Sequence, residues 1–170
     1  LGKGVRIGAG TVIGHNVVIG DEVIIGGIVT LIGAVIGEEG FGFERDASGA
    51  AVRLPHIGTV IIENFVEVGS LTTVCRGTLE NTVLFEGAKI DDHVHIAHNI
   101  QIGEHAFVIA CAEISGGVRV GQRAWIAPGA SILNQITIGN DAIVGLGAVV
   151  VRSVEDGQTV VGNPAKPITR

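Results

Sequence analysis

The sequence predicts an all-β solenoid of short parallel strands, and two features carry that prediction. From Leu84 to Val150 an aliphatic residue occupies every sixth position without a miss. Two residues before most of these positions stands a second small or β-branched residue, and Gly, Asn and Asp recur in the intervals. A period of six fits neither the roughly 3.6-residue period of a helix nor the alternation of a flat strand. A short fixed repeat indicates stacked coils that share one core.

The repeat begins near the amino terminus and is interrupted twice. Its first block places aliphatic residues at Ile7, Ile13, Ile19, Ile25 and Leu31. The pattern then vanishes between Gly37 and Ile57, where a long glycine-containing stretch holds two of the five Phe residues. Long loops on regular scaffolds often carry function. A later surplus of four residues before Leu84 predicts a small bulging loop near residues 76–81.

The chain leaves the pattern a final time after Val151, where the remaining residues include two prolines. A tail that closes the last open coil is the expected use of such a segment. We therefore predict a β-helix over residues 1–151, with an inserted loop at 38–56, and a capping tail over residues 152–170.

Composition favours one elongated domain with a narrow interior. The chain has 170 residues, 46% hydrophobic and 16% charged, with 27 Gly, five Phe, one Trp and no Tyr. The net charge of -6 and the lack of a Lys/Arg stripe argue against a nucleic-acid partner. No stretch approaches the roughly 20 apolar residues of a membrane helix, so we expect no membrane insertion. Two cysteines without disulfide or zinc-knuckle spacing favour a reduced cytoplasm.

The six-residue pattern resembles that of the left-handed parallel β-helix family, the hexapeptide-repeat solenoids. Three short strands joined by tight turns make one triangular coil of about 18 residues. The chain is therefore expected to form about seven coils. The left hand is implied by the resemblance, because a six-residue period does not choose a hand.

A cluster of four histidines lies in the stretch DDHVHIAHNIQIGEH. His98 follows Ile96 by two residues, the place where a turn starts and the side chain points outward. Residues 18 apart stack about 4.8 Å from one another, and the column through His98 reads Glu80, His98, Gly116, Asn134 and Arg152. A histidine can remove a proton from an attacking amine, and a glycine N–H can bind the oxyanion on an acyl carbonyl. His98 and Gly116 are thus the candidate catalytic residues of an acyl transfer.

Four segments make the resemblance more specific: IGAVIGEEGFGFERD, LPHIGTVII, LTTVCRGTL and KIDDHVHIAHNIQIGEHA. Over roughly residues 30 to 118 they resemble the UDP-3-O-acylglucosamine N-acyltransferases of lipid A synthesis. The resemblance implies that His98 is the catalytic base with Asn99 beside it and that Gly116 supplies the oxyanion amide. It also implies that the aromatic loop carrying Phe41 and Phe43 contacts substrate.

Two positions depart from that family. Its D-R-G motif reads Cys75-Arg76-Gly77 here, which leaves Arg76 as a substrate-binding candidate. Its second histidine, in a Gly-His pair, is replaced by Asn134-Gln135.

The ending VVGNPAKPI instead resembles sugar and small-molecule acetyltransferases of the same fold, which use coenzyme A thioesters. That resemblance implies that the thioester donor binds toward the carboxyl-terminal end of the solenoid. Arg152 and Lys166 would contact the phosphates of coenzyme A, and backbone amides near Gly145 would bind its pantetheine arm. Asn134 is a further candidate for contact with the donor. The thioester donor is therefore either acyl carrier protein or coenzyme A, with no tightly bound cofactor. The family implies a homotrimer with nucleotide-sugar sites in the clefts between subunits.

Two other functions are compatible with the fold. The spacing of His93 and His98 matches the zinc-binding pair of γ-class carbonic anhydrases, which need a third histidine about two coils earlier. That position falls at Ile57, beside His56. The four-residue surplus before Leu84 shifts the stacking, so a third histidine is no longer expected at the required place. The other alternative is a non-catalytic hexapeptide scaffold, against which the I-A-H-N motif argues.

Overall fold

The computed structural model describes residues 1–168, and in it two-residue strands alternate with tight turns along almost the whole chain. Before the long loop the strands are Arg6–Ile7 (β1), Val12–Ile13 (β2), Val18–Ile19 (β3), Ile24–Ile25 (β4), Thr30–Leu31 (β5) and Val35–Ile36 (β6). The loop itself contains Phe43–Arg45 (β7) and Ala51–Arg53 (β8). The regular coils resume with Val60–Ile62 (β9), Glu67–Val68 (β10), Thr73–Val74 (β11), Thr82–Leu84 (β12), Lys89–Ile90 (β13) and His95–Ile96 (β14).

The remaining strands complete the solenoid toward its carboxyl-terminal end. They are Gln101–Ile102 (β15), Phe107–Val108 (β16), Glu113–Ile114 (β17), Arg119–Val120 (β18), Trp125–Ile126 (β19), Ser131–Ile132 (β20), Thr137–Ile138 (β21), Ile143–Val144 (β22), Val149–Val150 (β23), Thr159–Val161 (β24) and Lys166–Ile168 (β25). Every third strand of the regular series stacks in parallel on the next, which confirms the predicted parallel solenoid.

Three sheets form the sides of the triangular coil. The first runs β1-β4-β9-β12-β15-β18-β21, the second β2-β5-β10-β13-β16-β19-β22-β24-β25, and the third β3-β6-β11-β14-β17-β20-β23. The solenoid thus extends somewhat beyond the seven coils that the repeat predicts. The extension comes from residues assigned to the tail, because β24 adds a parallel strand to β22 and Val154 bridges to Ile138. β25 then folds back antiparallel on β24.

The core is a single column of aliphatic side chains inside the three sheets. The second residue of each regular strand points inward, as Ile96, Ile102 and Ile114 do, and all three are fully buried. The small residue two positions earlier is buried as well, for example Ala106 and Ala112. Both predicted inward positions of the repeat are therefore confirmed. Within the predicted 152–170 tail, Val154 and Val160 join this core, whereas β25 is exposed. Arg170, with the residue before it, falls outside the described residues.

Replacing a core isoleucine should cost far more stability than replacing its outward neighbour. Ile102→Ala is expected to lower the free energy of unfolding by about 2–5 kcal/mol, because it leaves a cavity between stacked coils. Gln101→Ala, on the outer face of the same strand β15, should change it by less than about 0.5 kcal/mol. Urea unfolding followed by circular dichroism measures both. Equal losses in the two variants would contradict the assigned inward and outward faces.

Candidate active site

The site is centred on His98, which lies in the turn after β14. Asn99 completes this turn with a φ of 59°, in the left-handed region that asparagine tolerates. Its side-chain Oδ1 accepts a hydrogen bond of 2.6 Å from the Thr78 N–H. Asn99 therefore ties the bulge of residues 75–81 to the histidine turn, which is a structural task in addition to any contact with substrate.

His98 lies directly against Gly116 of the next coil. Ile96 pairs with Ile114, so the two turns stack in register. A Cβ at position 116 would stand 2.7 Å from His98 Cε1 and 2.8 Å from its Nε2, closer than real Cβ contacts allow. The imidazole therefore occupies the space that any larger residue at 116 would need. The sequence column brought these two residues together correctly.

The Gly116 N–H is available for a ligand. Among residues 1–168, no hydrogen bond uses this N–H as its donor, whereas the neighbouring Gly117 N–H donates to the His98 carbonyl oxygen at 3.0 Å. The opposite nitrogen of His98, Nδ1, lies 3.3 Å from Thr78 Oγ1. When Nδ1 donates to that hydroxyl, Nε2 is the nitrogen that can accept a proton, and it is the one beside Gly116.

On the amino-terminal side of His98 the structure does not follow the predicted column of residues 18 apart. Strand β11 pairs with β14 through Thr73 and His95, which are 22 residues apart rather than 18. The surplus forms the irregular segment between β11 and β12, as the spacing predicts, and so Glu80 leaves the column. Stacking at intervals of 18 resumes only with Val83 and Gln101.

The loop at 38–56 returns to His98 in the same chain. A Cβ at Gly40 would lie 3.3 Å from His98 Cδ2 and 3.4 Å from His56 Nε2. The rings of His56 and His98 meet edge to face, with centroids 5.3 Å apart and an angle of 78°. His98 is thus held in a slot between Gly116 on one side and Gly40 with His56 on the other.

This slot shifts the acid–base equilibrium of His98 toward its neutral form. Burial lowers the pKa of the His98 imidazole below its ordinary 6.5, and the nearby His56 lowers this pKa further. A neutral imidazole is the form that accepts a proton. The environment of His98 therefore suits a general base at neutral pH.

The two loop phenylalanines project from a hairpin formed by β7 and β8. Phe41 is 87% exposed, and its ring lies 4.9 Å from that of Phe43 at a tilted angle. The Arg53 guanidinium covers the Phe43 ring at 4.7 Å and pairs with Glu39 at 3.1 Å. The hairpin is ordered by its own contacts, while Phe41 remains free to meet another molecule.

Arg76 is engaged by the fold itself. Its Nε donates to the Gly58 carbonyl at 2.9 Å, and its Nη2 donates to the Asp21 carbonyl at 3.0 Å. These bonds pin the guanidinium to the backbone of lower coils. A contact of Arg76 with substrate would have to use its remaining donors.

The predicted donor residues follow the column away from His98. Asn134 and Arg152 lie on exposed turns, and Arg152 stands three coils from His98, about 14 Å along the axis. Arg152 and Lys166 line the same cleft of about 370 Å³, formed between the last coil and the returning β25. The Gly145 N–H is already bonded to the Val160 carbonyl at 2.8 Å, so this amide is not free for a pantetheine arm.

Neither cysteine offers an activated nucleophile. Cys75 is buried near Gly40, and burial raises the pKa of its thiol, which keeps it protonated. Cys111 is exposed in another turn.

The described residues also offer no zinc site of the carbonic anhydrase kind. Over residues 1–168, no three His, Cys, Asp or Glu side chains are grouped so that they could hold a metal ion. His93 and His98 belong to the turns at opposite ends of β14, so a side of the triangle separates them. The same part of the chain contains no helix with the length and apolar character needed to cross a membrane.

Fold and site together define a left-handed parallel β-helix of the hexapeptide-repeat class. The solenoid resembles the UDP-N-acetylglucosamine acyltransferase of Francisella novicida, with a TM-score of 0.77 and 21% identity over 99% of this chain and 63% of that one. It is equally similar to the Bacteroides fragilis enzyme of that name, with a TM-score of 0.77 and 20% identity over 98% of this chain and 68% of the other. At such identities the likeness confirms the predicted fold class.

In sequence the chain is similar to UDP-3-O-acylglucosamine N-acyltransferases. The Coxiella burnetii protein of that name is 49% identical over 84 residues, which are 49% of this chain and 25% of the relative. The chain thus matches only about a quarter of the length of these curated relatives. No protein-family model matches it. The resemblance stated from the sequence motifs is confirmed for about half of the chain.

Sequence reasoning missed His56 and Thr78 as members of the site. Both lie in segments without the six-residue period, so no stacking rule could place them. The one available signal was the pattern of glycines in G-F-G-F, since Gly40 and Gly42 leave room for the two imidazoles.

Proposed function

We propose that this chain transfers an acyl group from a thioester to the amine of a nucleotide-linked amino sugar. The observation that carries the proposal is the contact of the His98 imidazole with Gly116, whose N–H has no acceptor among the described residues. The 49% identity to UDP-3-O-acylglucosamine N-acyltransferases over half of the chain supports the choice of substrate class. A cytoplasmic homotrimer with sites in the clefts between subunits is part of the same proposal.

The reaction needs only groups that this site contains. The amine nitrogen attacks the thioester carbonyl, and the new C–N bond forms while His98 Nε2 takes the amine proton. The carbonyl oxygen becomes an oxyanion, which accepts a hydrogen bond from the Gly116 N–H. The C–S bond then breaks, and the protonated His98 returns its proton to the departing thiolate. The neutral, buried thiol of Cys75 has no part in this direct transfer.

The donor is acyl carrier protein or coenzyme A, and both present a thioester at the end of a phosphopantetheine arm. The cleft lined by Arg152 and Lys166 supports a donor with phosphate groups, because two cationic side chains line it. Phe41 and Phe43 offer an apolar contact for the acceptor or the acyl chain. Four further residues remain proposed contacts: Asn99, Arg76, Asn134 and Gly145. Three of them, Asn99, Arg76 and Gly145, already make hydrogen bonds within the fold.

A parallel donor test decides the proposal. We expect amide formation when the protein receives a panel of amino sugar nucleotides with either acetyl coenzyme A or hydroxyacyl carrier protein, followed by mass spectrometry. Transfer from the carrier protein alone would discard coenzyme A, and the reverse result would discard the carrier protein. If neither donor acylates any acceptor while the coil is intact, the chain is a scaffold and the proposed activity is wrong.

A further inference from the structure

A second histidine, His56, is buried behind His98 and has no task in the reaction described above. It is 3% exposed and lies at the end of the loop, just before the coils resume. Its Nδ1 lies 3.1 Å from the Leu54 carbonyl oxygen. Because that oxygen can only accept, Nδ1 carries the proton and Nε2 is left with its lone pair.

His56 Nε2 has no hydrogen-bond partner among the described residues, although it is buried. Leaving a buried polar atom unpaired costs the free energy of its desolvation. An apolar residue of similar size would avoid this cost in a purely structural position. The imidazole at this position therefore indicates a role beyond filling space.

The surroundings of His56 tie the loop to His98. A Cβ at Gly42 would fall 2.5 Å from His56 Cε1, so the backbone of the G-F-G-F segment packs against this ring at Gly42. Gly40 of the same segment touches both His56 and His98. Thus the segment that carries Phe41 and Phe43 packs against His56. His56 in turn packs against the His98 ring.

We propose that His56 is a positioning residue that holds His98 against Gly116 and couples the aromatic loop to it. The proposal rests on the proposed function for its catalytic meaning, but the contact itself exists whether or not acyl transfer occurs. His56 acts in two ways: its ring blocks the sideways movement of the imidazole, and its proximity disfavours the charged form of His98, because two imidazoles this close do not readily hold a proton each at the same time.

Apart from His56, the titratable groups around this slot do not account for the lowered pKa of His98. Cys75 lies next to the same face of Gly40, with its Cβ 3.4 Å from the place of a Cβ at that glycine, and burial raises the pKa of its thiol, which favours the neutral form. The carboxylate of Glu39 pairs with Arg53, and its Oε1 lies 3.4 Å from the His56 backbone nitrogen. Only burial and His56 lower the pKa of His98.

The test compares His56→Phe with wild type, using NMR titration of the His98 ring and the pH profile of kcat/KM. Phe keeps the ring and the packing on Gly42 but cannot be charged. We expect the His98 pKa to rise toward 6.5, and the acid limb of the pH profile to move to higher pH with it. His56→Ala removes the ring as well, and a misplaced base should lower kcat by up to about 10²-fold with a smaller change in KM.

Matched controls separate this role from simple packing. His15→Phe, an exposed histidine of the first coil, should leave the His98 titration unchanged. His56→Gln serves as a second uncharged variant if the Phe ring prevents folding. An unchanged His98 titration in a folded uncharged variant, together with unchanged kcat, overturns the proposal. The NMR arm does not depend on turnover, so a protein without acyl transfer would refute the proposed function and leave the coupling of the two histidines measurable.

Discussion

His98→Ala is expected to lower kcat for acyl transfer by about 10²–10⁴-fold while the solenoid stays folded. The size follows from the loss of a positioned general base. His98 lies in a surface turn outside the aliphatic core, so its removal creates no core cavity. Circular dichroism and thermal melting should therefore match wild type, and the loss should appear in the kinetics alone.

Two additions sharpen the His98 experiment. The truncated side chain leaves a slot between Gly116 and Gly40, so added imidazole should restore part of the activity. His93→Asn is the matched control, because it replaces a histidine in the turn at the other end of β14 with a residue that tolerates its φ of 58°. Turnover that persists in His98→Ala would show that another group removes the proton.

Gly116→Ala is expected to lower kcat by about 10²-fold, the scale of a 1 Å misplacement of a catalytic group. The new methyl group would stand 2.7 Å from His98 Cε1, so the imidazole must move away from the reacting atoms. The backbone N–H is kept in this variant. The loss therefore measures the space that glycine provides for His98, rather than the loss of the oxyanion donor.

Gly117→Asn provides the control for that change. Gly117 has a φ of 73°, and Asn99 adopts 59° at the stacked position one coil earlier. Asparagine should therefore fit, with activity close to wild type. In the His98→Ala background, Gly116→Ala should add little further loss, because the ring that it displaces is gone. Full additivity of the two losses would mean that position 116 acts independently of His98.

The regular part of the fold follows from the sequence because its local rules repeat. Each hexad has two inward residues and a turn, and a run of such units can bury its apolar residues only by stacking coil on coil. The same arithmetic places Ile114 on Ile96 and hence Gly116 on His98. The left hand of the β-helix is predicted from the resemblance to hexapeptide-repeat solenoids, because a six-residue period is compatible with either hand.

The periodic rule failed wherever the period stopped. The 18-residue spacing predicts that Glu80 stacks next to His98. The surplus between β11 and β12 instead makes the interval 22 residues there, as the pairing of Thr73 with His95 shows. Arg76, in that surplus, donates hydrogen bonds to the backbone carbonyls of Gly58 and Asp21, which no period could predict, and its contact with substrate stays a prediction. The Gly145 N–H donates to the Val160 carbonyl of β24, a bond that depends on the aperiodic tail, and a donor contact near Gly145 stays a prediction.

The sequence by itself determined the solenoid, its two inward positions per hexad and the pairing of His98 with Gly116. These features depend on spacing along the chain, which the six-residue period converts directly into neighbours in space. Only the tertiary structure decided that the loop returns to its own chain, that Gly40 and His56 close the slot around His98, and that the tail extends a sheet. The path of an aperiodic segment depends on which side chains it can pack against, and those contacts exist only once the coils have formed.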